Sequence, residues 1–332
     1  MKTQLEELLI ELQHLKPKTH RFNKRYEYTP YEYDKNIHII DVNSIKGSVS
    51  NREDLLLSNF WALFLGLLRD VDVGAVIDTG GGSRILRTTG DVNYGVAYLV
   101  YGTGTTPESF TDYVLASYSG SFSATIARGI IENKSVVTLS GTLPAAAREI
   151  GIQQVLHDTS GADRTILLAR TTGSWSAGSG IVYSIDFLSP WVYNVTGLMC
   201  GILRNANEAL TRIDGIAITA RTSTEVNAGA TYMVISSSRV TWSPTLYSVP
   251  SPISLTTFYG EVLGARTVRY IALVGSLAPS DNIEVNSIAL YQLIYDTAGA
   301  THTVCWLVLS LESPIIFYAN RNNIIVLRIL AF

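Results

Sequence analysis

The residues of this chain whose types could do chemistry are few and scattered. Gly102-Thr103-Gly104-Thr105-Thr106-Pro107 begins like a dinucleotide-binding turn, but Pro107 stands where a third glycine is needed. No acid follows at the ribose-binding distance in a βαβ setting, so the segment reads as a tight turn after a strand. Gly80-Gly81-Gly82-Ser83 lacks the Gly-Lys-Ser/Thr ending of a phosphate loop and reads as a hairpin or loop. Its alternative is a nest of backbone N–H groups for an anion. The five histidines (His14, His20, His38, His157 and His302) show no i, i+4 metal-binding pair. Asp158-Thr159-Ser160-Gly161-Ala162-Asp163 lacks the further acids of a calcium loop. Asp158 and Asp296 are expected to open turns by accepting backbone N–H groups. Cys200 and Cys305 are too few for a disulfide framework or a thiolate cage, and both are expected in the core. No Gly-x-Ser-x-Gly elbow occurs. We assign no catalytic residue, no metal set and no cofactor, and expect a protein that is not an enzyme.

Two tryptophans offer a ligand-binding alternative. Trp175, in Thr172-Gly173-Ser174-Trp175-Ser176, and Trp242, in Thr241-Trp242-Ser243-Pro244, could stack on a glycan or receptor. The competing reading has each of them capping a core at a strand end.

Residues 1–54 read as an arm with a helical and then an extended part. Thr3-Gln4-Leu5-Glu6 has capping-box spacing and Pro17 should stop the helix it opens. Leu5, Leu8, Leu12 and Leu15 follow the 3-4-3 spacing of a coiled-coil seam, or of one amphipathic helix lying on its own subunit. A helix this short needs a partner surface in either case. Lys16, Lys18, Arg21, Lys24 and Arg25 come next, followed by Tyr26, Tyr28, Tyr31 and Tyr33. Basic residues beside aromatics could hold nucleic acid. Yet the arm carries nine Lys or Arg against nine Asp or Glu. An extended protein interface, in which Tyr supplies contact area, is therefore the preferred reading.

The whole chain has 332 residues, 47% hydrophobic and only 16% charged, with a mean hydropathy of +0.20. A soluble average carries about 25% charged residues, so the exterior is unusually uncharged and fits a folded β-rich chain covered in part by partners. A net charge of -3 excludes a globally basic nucleic-acid binder. Met1 to Glu7 is polar and acidic, unlike a secretory signal. The most apolar run, residues 55–68, has 14 residues including Ser58, Asn59 and Gly66. It is too short for a membrane span of about 20 residues and reads as a buried helix.

Landmarks recur along the chain. Leu67-Leu68-Arg69-Asp70-Val71-Asp72 returns 135 residues on as Ile202-Leu203-Arg204-Asn205-Ala206-Asn207. Arg87-Thr88-Thr89-Gly90-Asp91-Val92-Asn93 returns after 134 as Arg221-Thr222-Ser223-Thr224-Glu225-Val226-Asn227. Gly141-Thr142-Leu143 returns as Gly275-Ser276-Leu277, and Asp158-Thr159-Ser160-Gly161-Ala162 as Asp296-Thr297-Ala298-Gly299-Ala300. Four matches in one order read as tandem copies, 55–189 and 190–332.

Each copy opens with an expected helix. Ser50-Asn51-Arg52-Glu53 has capping-box spacing before the first, and Ser189-Pro190 sets a cap and a first-turn proline before the second. Short β segments between turn residues follow, at 95–101, 113–118, 122–131, 135–140, 149–157, 165–171 and 181–188. The second copy offers 232–235, 258–263, 268–274, 287–295, 303–309, 315–318 and 324–330. About seven strands per copy, with turns every 8–12 residues, make the chain mainly β: two tandem-duplicated β-sandwich or jelly-roll-like domains behind an N-terminal arm.

The first copy resembles a type of virion structural protein, a tail, baseplate or fibre-like β-sandwich of tailed phages and archaeal viruses. The likeness rests on the order Gly102–Pro107, Asp112-Tyr113-Val114-Leu115, Glu149-Ile150-Gly151-Ile152, Leu167-Leu168-Ala169-Arg170 and Val182-Tyr183-Ser184-Ile185. The second copy departs from it, reading Ser236-Ser237-Ser238-Arg239 at the glycine-threonine turn. The resemblance implies a homo-oligomeric subunit of a tail, neck, baseplate or vertex that contacts other virion proteins and is assembled in the host cytoplasm. Its alternatives are a capsid or turret jelly-roll subunit and a receptor- or glycan-binding spike module. A fused pair has a geometric use, because three chains could present six similar domains to a sixfold ring.

Overall fold

The computed structural model describes residues 26–27, 35–42, 45–50, 52–89, 95–222, 226–262 and 269–331. The fold is mainly β, with two 12-residue helices among the described residues, α1 (Ser58–Arg69) and α2 (Tyr193–Arg204). Among the described residues no helix is long and apolar enough to cross a membrane.

Ahead of α1 the chain forms β1 (Tyr26–Glu27), β2 (Lys35–Val42), β3 (Ile45–Val49) and β4 (Arg52–Leu56). After α1 come a small hairpin, β5 (Val73–Ile77) and β6 (Ser83–Leu86), then β7 (Tyr98–Gly102), β8 (Tyr118–Phe122), β9 (Thr125–Ile131) and β10 (Lys134–Thr142). The first half closes with β11 (Ala147–His157), β12 (Asp163–Trp175) and β13 (Gly180–Phe187). After α2 the chain forms β14 (Glu208–Thr211), β15 (Ala217–Ala220), β16 (Tyr232–Ser236), β17 (Ile253–Ser254), β18 (Thr256–Val262) and β19 (Arg269–Leu277). It ends in β20 (Ile283–Tyr295), β21 (Thr301–Phe317) and β22 (Asn322–Ala331).

Nine strands form one hydrogen-bonded series, β8-β7-β11-β12-β4-β3-β13-β10-β9. The others form a four-stranded sheet, β17-β16-β20-β21, and a five-stranded sheet, β1-β2-β22-β19-β18. The strand orders 8-7-11-12 and 13-10-9 thus have counterparts in 17-16-20-21 and 22-19-18. The strands before α1 join both large sheets: β2 lies parallel to β22, pairing Ile39 with Val326, while the β3–β4 hairpin links β13 to β12.

Both helices end on a left-handed residue, Asp70 at φ 53° and Asn205 at φ 51°. Short polar side chains tolerate that conformation and let the chain reverse. Both also carry a buried asparagine in the first turn. The Asn59 amide donates to the Ile77 and Leu167 carbonyls and accepts from the Ile77 N–H. Asn194 does the same with the Thr211 and Cys305 carbonyls and the Thr211 N–H. Each asparagine thereby ties its helix to the small hairpin that follows it and to a long strand, β12 or β21. The core is continuous between halves: Phe64 of α1 packs on Phe187 and on Trp191, with ring centroids 6.3 and 5.3 Å away. Helix α2 lies against β21 of its own half and also against β9 and β10 of the first.

Several expected local features take another form. Ser50, at φ 47°, turns the β3–β4 hairpin, and Val49 pairs with Arg52. That hairpin takes the residues read as a capping box, so α1 starts at Ser58 behind Leu57, which makes no side-chain cap. Helix α2 starts at Tyr193, beyond Ser189-Pro190, because Trp191 pairs with Leu307 as an isolated bridge. Residues 113–117 lie in a loop, and 303–309 with 315–317 are parts of the single strand β21, which ends before Tyr318.

Candidate loop latch

Strand β7 ends at Gly102 and the chain crosses to β8 through a loop, 103–117, without regular structure. The loop has an apolar foot. Leu115 is buried with Leu57, Val100 and Leu167. Where it leaves and rejoins the sheet, Thr103 N–H donates to the Ser117 carbonyl at 3.0 Å, and the Phe110 carbonyl takes the Ser58 N–H at the start of α1.

Beneath the loop lies Glu149 of β11, a carboxylate with no solvent exposure. An ionised carboxylate taken out of water must recover its hydration from fixed donors. Oε1 accepts the N–H groups of Gly104 at 3.1 Å and Ser117 at 2.6 Å. Oε2 accepts the Ala116 N–H at 2.9 Å and the Arg170 Nε–H at 3.0 Å. Glycine is required at the approach: a Cβ on Gly102 or on Gly104 would lie 2.5 Å from Glu149 Oε1.

Arg170 of β12, only 2% exposed, spreads its remaining donors over the same loop. It donates to the Asp112 carboxylate and to the Thr106 carbonyl, the latter at 2.8 Å. Asp112 in turn accepts the Ser109 N–H at 2.9 Å. Glu108 reaches the other way, accepting from the Thr172 N–H at 2.6 Å and its hydroxyl at 3.0 Å. Burial raises the Glu108 pKa, but these hydrogen bonds and the Arg170 charge outweigh it and hold it below the usual carboxylate range. A carboxylate offers about four lone-pair positions, and Glu149 has four donors on it. The arrangement holds a loop and leaves Glu149 no lone pair free for a substrate.

The second half has Ser287 and Val308, not a buried ion pair, at the corresponding positions. Its loop, 237–252, is held by hydroxyls: Ser287 donates to the Ser238 carbonyl at 2.8 Å and Ser236 to the Pro250 carbonyl. Ser236 pairs with Ser287 as Gly102 pairs with Glu149. Where the first half has Arg170 opposite Gly151, the second has Val308 opposite Ala289. Val308 lies in an apolar cluster with Val192, Val234, Val249 and Tyr291, and the Tyr291 hydroxyl accepts the Val249 N–H at 2.8 Å. Burial raises the Tyr291 pKa.

The other singled-out residues hold turns or fill the core. The Asp78 carboxylate takes the Gly80 and Gly82 N–H groups at 3.0 and 2.8 Å, so the glycine run carries an anion supplied by its own hairpin. Asp158 accepts the Ser160 and Ala162 N–H groups and Asp296 those of Ala298 and Ala300. Arg164 braces Asp158 at 2.7 Å, and His302 braces Asp296 at 2.8 Å. Hydrogen bonds from Ser160 and Arg164 hold Asp158 below its ordinary pKa, and His302 with the turn N–H groups does the same for Asp296. Cys200 and Cys305 are buried free thiols; burial pushes Cys200 up to about 11 and raises Cys305 as well. Trp175 is half-buried against the core at the end of β12, and the Trp242 indole N–H is buried with no hydrogen-bond partner among the described residues. Among the described residues no three His, Cys, Asp or Glu side chains group as a metal site.

Of the residues singled out in 1–54 as interface or nucleic-acid contacts, Tyr26 alone is among the described residues, its backbone paired with Ile39. Leu5, Leu8, Leu12, Leu15, Lys16, Lys18, Arg21, Lys24, Arg25, Tyr28, Tyr31 and Tyr33 lie outside them. Sequence reading missed Gln154 and Gln292, although each stands four residues before one of the repeated aspartates. Fold and site together define a mainly β protein whose buried charges fasten a surface loop. Comparison with protein-family models, curated proteins and solved structures returns no match.

Proposed function

We propose that this chain is a structural subunit of a virion, working in a tail, neck, baseplate or vertex through contacts with copies of itself and with other virion proteins. One observation carries the reading. Gly104, Asp112, Glu149 and Arg170 come from four separate stretches of the motif order described above and meet at a single latch. Motif residues that cohere in space have a shared purpose, here to fix an exposed loop whose Thr105, Thr106, Pro107, Ser109 and Thr111 face solvent. A loop pinned by buried charge and offering small uncharged groups outward suits a fixed contact surface rather than a moving lid.

We read the two halves as tandem copies of one β-sandwich module. Matching strand orders, the αL residues closing both helices and the paired asparagines support that reading. The apolar cluster under the first loop (Leu57, Val100, Leu115, Leu167) also has its counterpart under the second (Val192, Val234, Val249, Cys305). Electron cryo-microscopy of virus particles from the source of the gene tests the role. Symmetric density for this chain at a tail, neck, baseplate or vertex is expected, and particles that lack the chain would end it.

A further inference from the structure

The C-terminal turns of the two helices are each completed by the opposite half of the chain. A helix leaves its last four carbonyls without partners inside itself. In α1, the Leu67 carbonyl accepts the Gln292 side-chain amide at 2.9 Å and that of Asn227 at 2.9 Å. The Leu68 carbonyl accepts the Thr231 N–H at 2.8 Å. In α2, the Ile202 carbonyl accepts the Gln154 side-chain amide at 2.7 Å, and the Leu203 carbonyl accepts the Ala97 N–H at 2.7 Å. Each glutamine also holds a glycine carbonyl of its own half, Gly95 for Gln154 and Gly229 for Gln292.

These bonds are reciprocal. Leu67-Leu68 corresponds to Ile202-Leu203, Ala97 to Thr231, and Gln154 to Gln292, which pair with Ile166 and Val304 in the matching strand hairpins. What the first half gives to the second, the second gives back through the corresponding groups. That is the signature of an isologous contact, the kind found across a two-fold axis. A head-to-tail contact would place one patch against a different one and run in a single direction.

We infer that each half carries a self-docking surface whose partner is a second copy of the same module, and that the chain is a covalently closed pair about a local two-fold axis. The surface comprises the helix C-terminal turn, the strand-borne glutamine and the N–H just ahead of β7 in one half and of β16 in the other. This inference is independent of the virion reading. It also constrains any assembly: three chains present six modules as three closed pairs, not as six successive steps of a ring. Contacts to neighbouring chains then run through other surfaces.

Hydrogen exchange on the full chain, read by mass spectrometry, tests the inference. Gln154→Leu should speed exchange about tenfold at Asn205 and Ala206, in the half that does not carry the substitution. Gln292→Leu should do the same at Asp70 and Val71. Gln154→Met and Gln292→Met, which keep side-chain length but lack the amide, give the same readout if a leucine variant does not fold. Asn59→Ala, whose lost bonds lie within the first half, should leave Asn205 and Ala206 unchanged. Faster exchange confined to the half that carries each glutamine substitution, or seen in one direction only, would overturn the inference.

Discussion

Arg170 and Glu149 face each other across neighbouring strands, guanidinium on carboxylate at 3.0 Å, and neither is more than 2% exposed. Removing one member of a buried pair leaves the other charged and unpaired, which costs about 3–5 kcal/mol. Arg170→Met should therefore lower stability by about that amount in urea unfolding. The double variant Glu149→Ser/Arg170→Val copies the residues of the second half at these positions, Ser287 and Val308. It should cost less than the sum of its single variants, by roughly 0.5–3 kcal/mol of coupling. Strict additivity would show that the pair does not act as one unit.

Gly201 reverses a familiar rule. In an exposed helix, Gly→Ala gains roughly 0.5–1 kcal/mol. Here a Cβ on Gly201 would overlap the side chain of Thr222, whose hydroxyl donates to the Ala206 carbonyl at 2.5 Å. Gly201→Ala should instead destabilise by about 1–3 kcal/mol, the usual cost of overpacking. Thermal unfolding gives the sign directly, and a raised midpoint would contradict this packing.

Acid should loosen the two aspartate turns. Asp158 and Asp296 both have pKa values below the ordinary one in the folded chain. Their contribution is thus fully present above the unfolded value, about 3.9, and is lost as the pH falls through the lower folded values. Melting temperature measured from pH 6 downward should fall below about pH 4, and Asp296→Asn should make that fall shallower. An unchanged acid limb would remove this turn from the account.

Strand β9 ends its sheet with one edge unpaired among the described residues. Edges are commonly blunted by Lys, Pro or a bulge, and β9 has none of these. Its one charge, Arg128, is drawn inward, donating to the Ala209 carbonyl at 2.6 Å and lying 4.8 Å over the Tyr193 ring. Ile130 and Ile131 are left exposed at 42% and 50%. Ile130→Lys should weaken self-association without lowering the melting temperature; association equal to that of the parent chain would rule this edge out.

Recurrence along the chain foretold the two helices, most strands and both aspartate turns, because those depend on local patterning. What it missed depends on partners far away. Ser50-Asn51-Arg52-Glu53 fits a capping box by spacing, yet β4 pairs with β3 and β12 and overrides it. Tyr113 to Ser117 carries strand-forming residues, but Asp112 is pulled to Arg170, 58 residues away, and the segment stays a loop. The segments 303–309 and 315–318 read as two strands, yet β21 runs on through Pro314, which lies on an edge strand where the register shifts between Val285 and Ser287 and proline is tolerated. The latch residues were singled out by their order alone, and only the register of β7, β11 and β12 brings them together.

The most direct test is the mass of the purified full chain in solution, by sedimentation and native mass spectrometry over the micromolar range. An assembly subunit predicts a discrete oligomer of several 36.3 kDa chains. A single chain at every concentration, alone and with the other proteins of the particle, would contradict the proposed role.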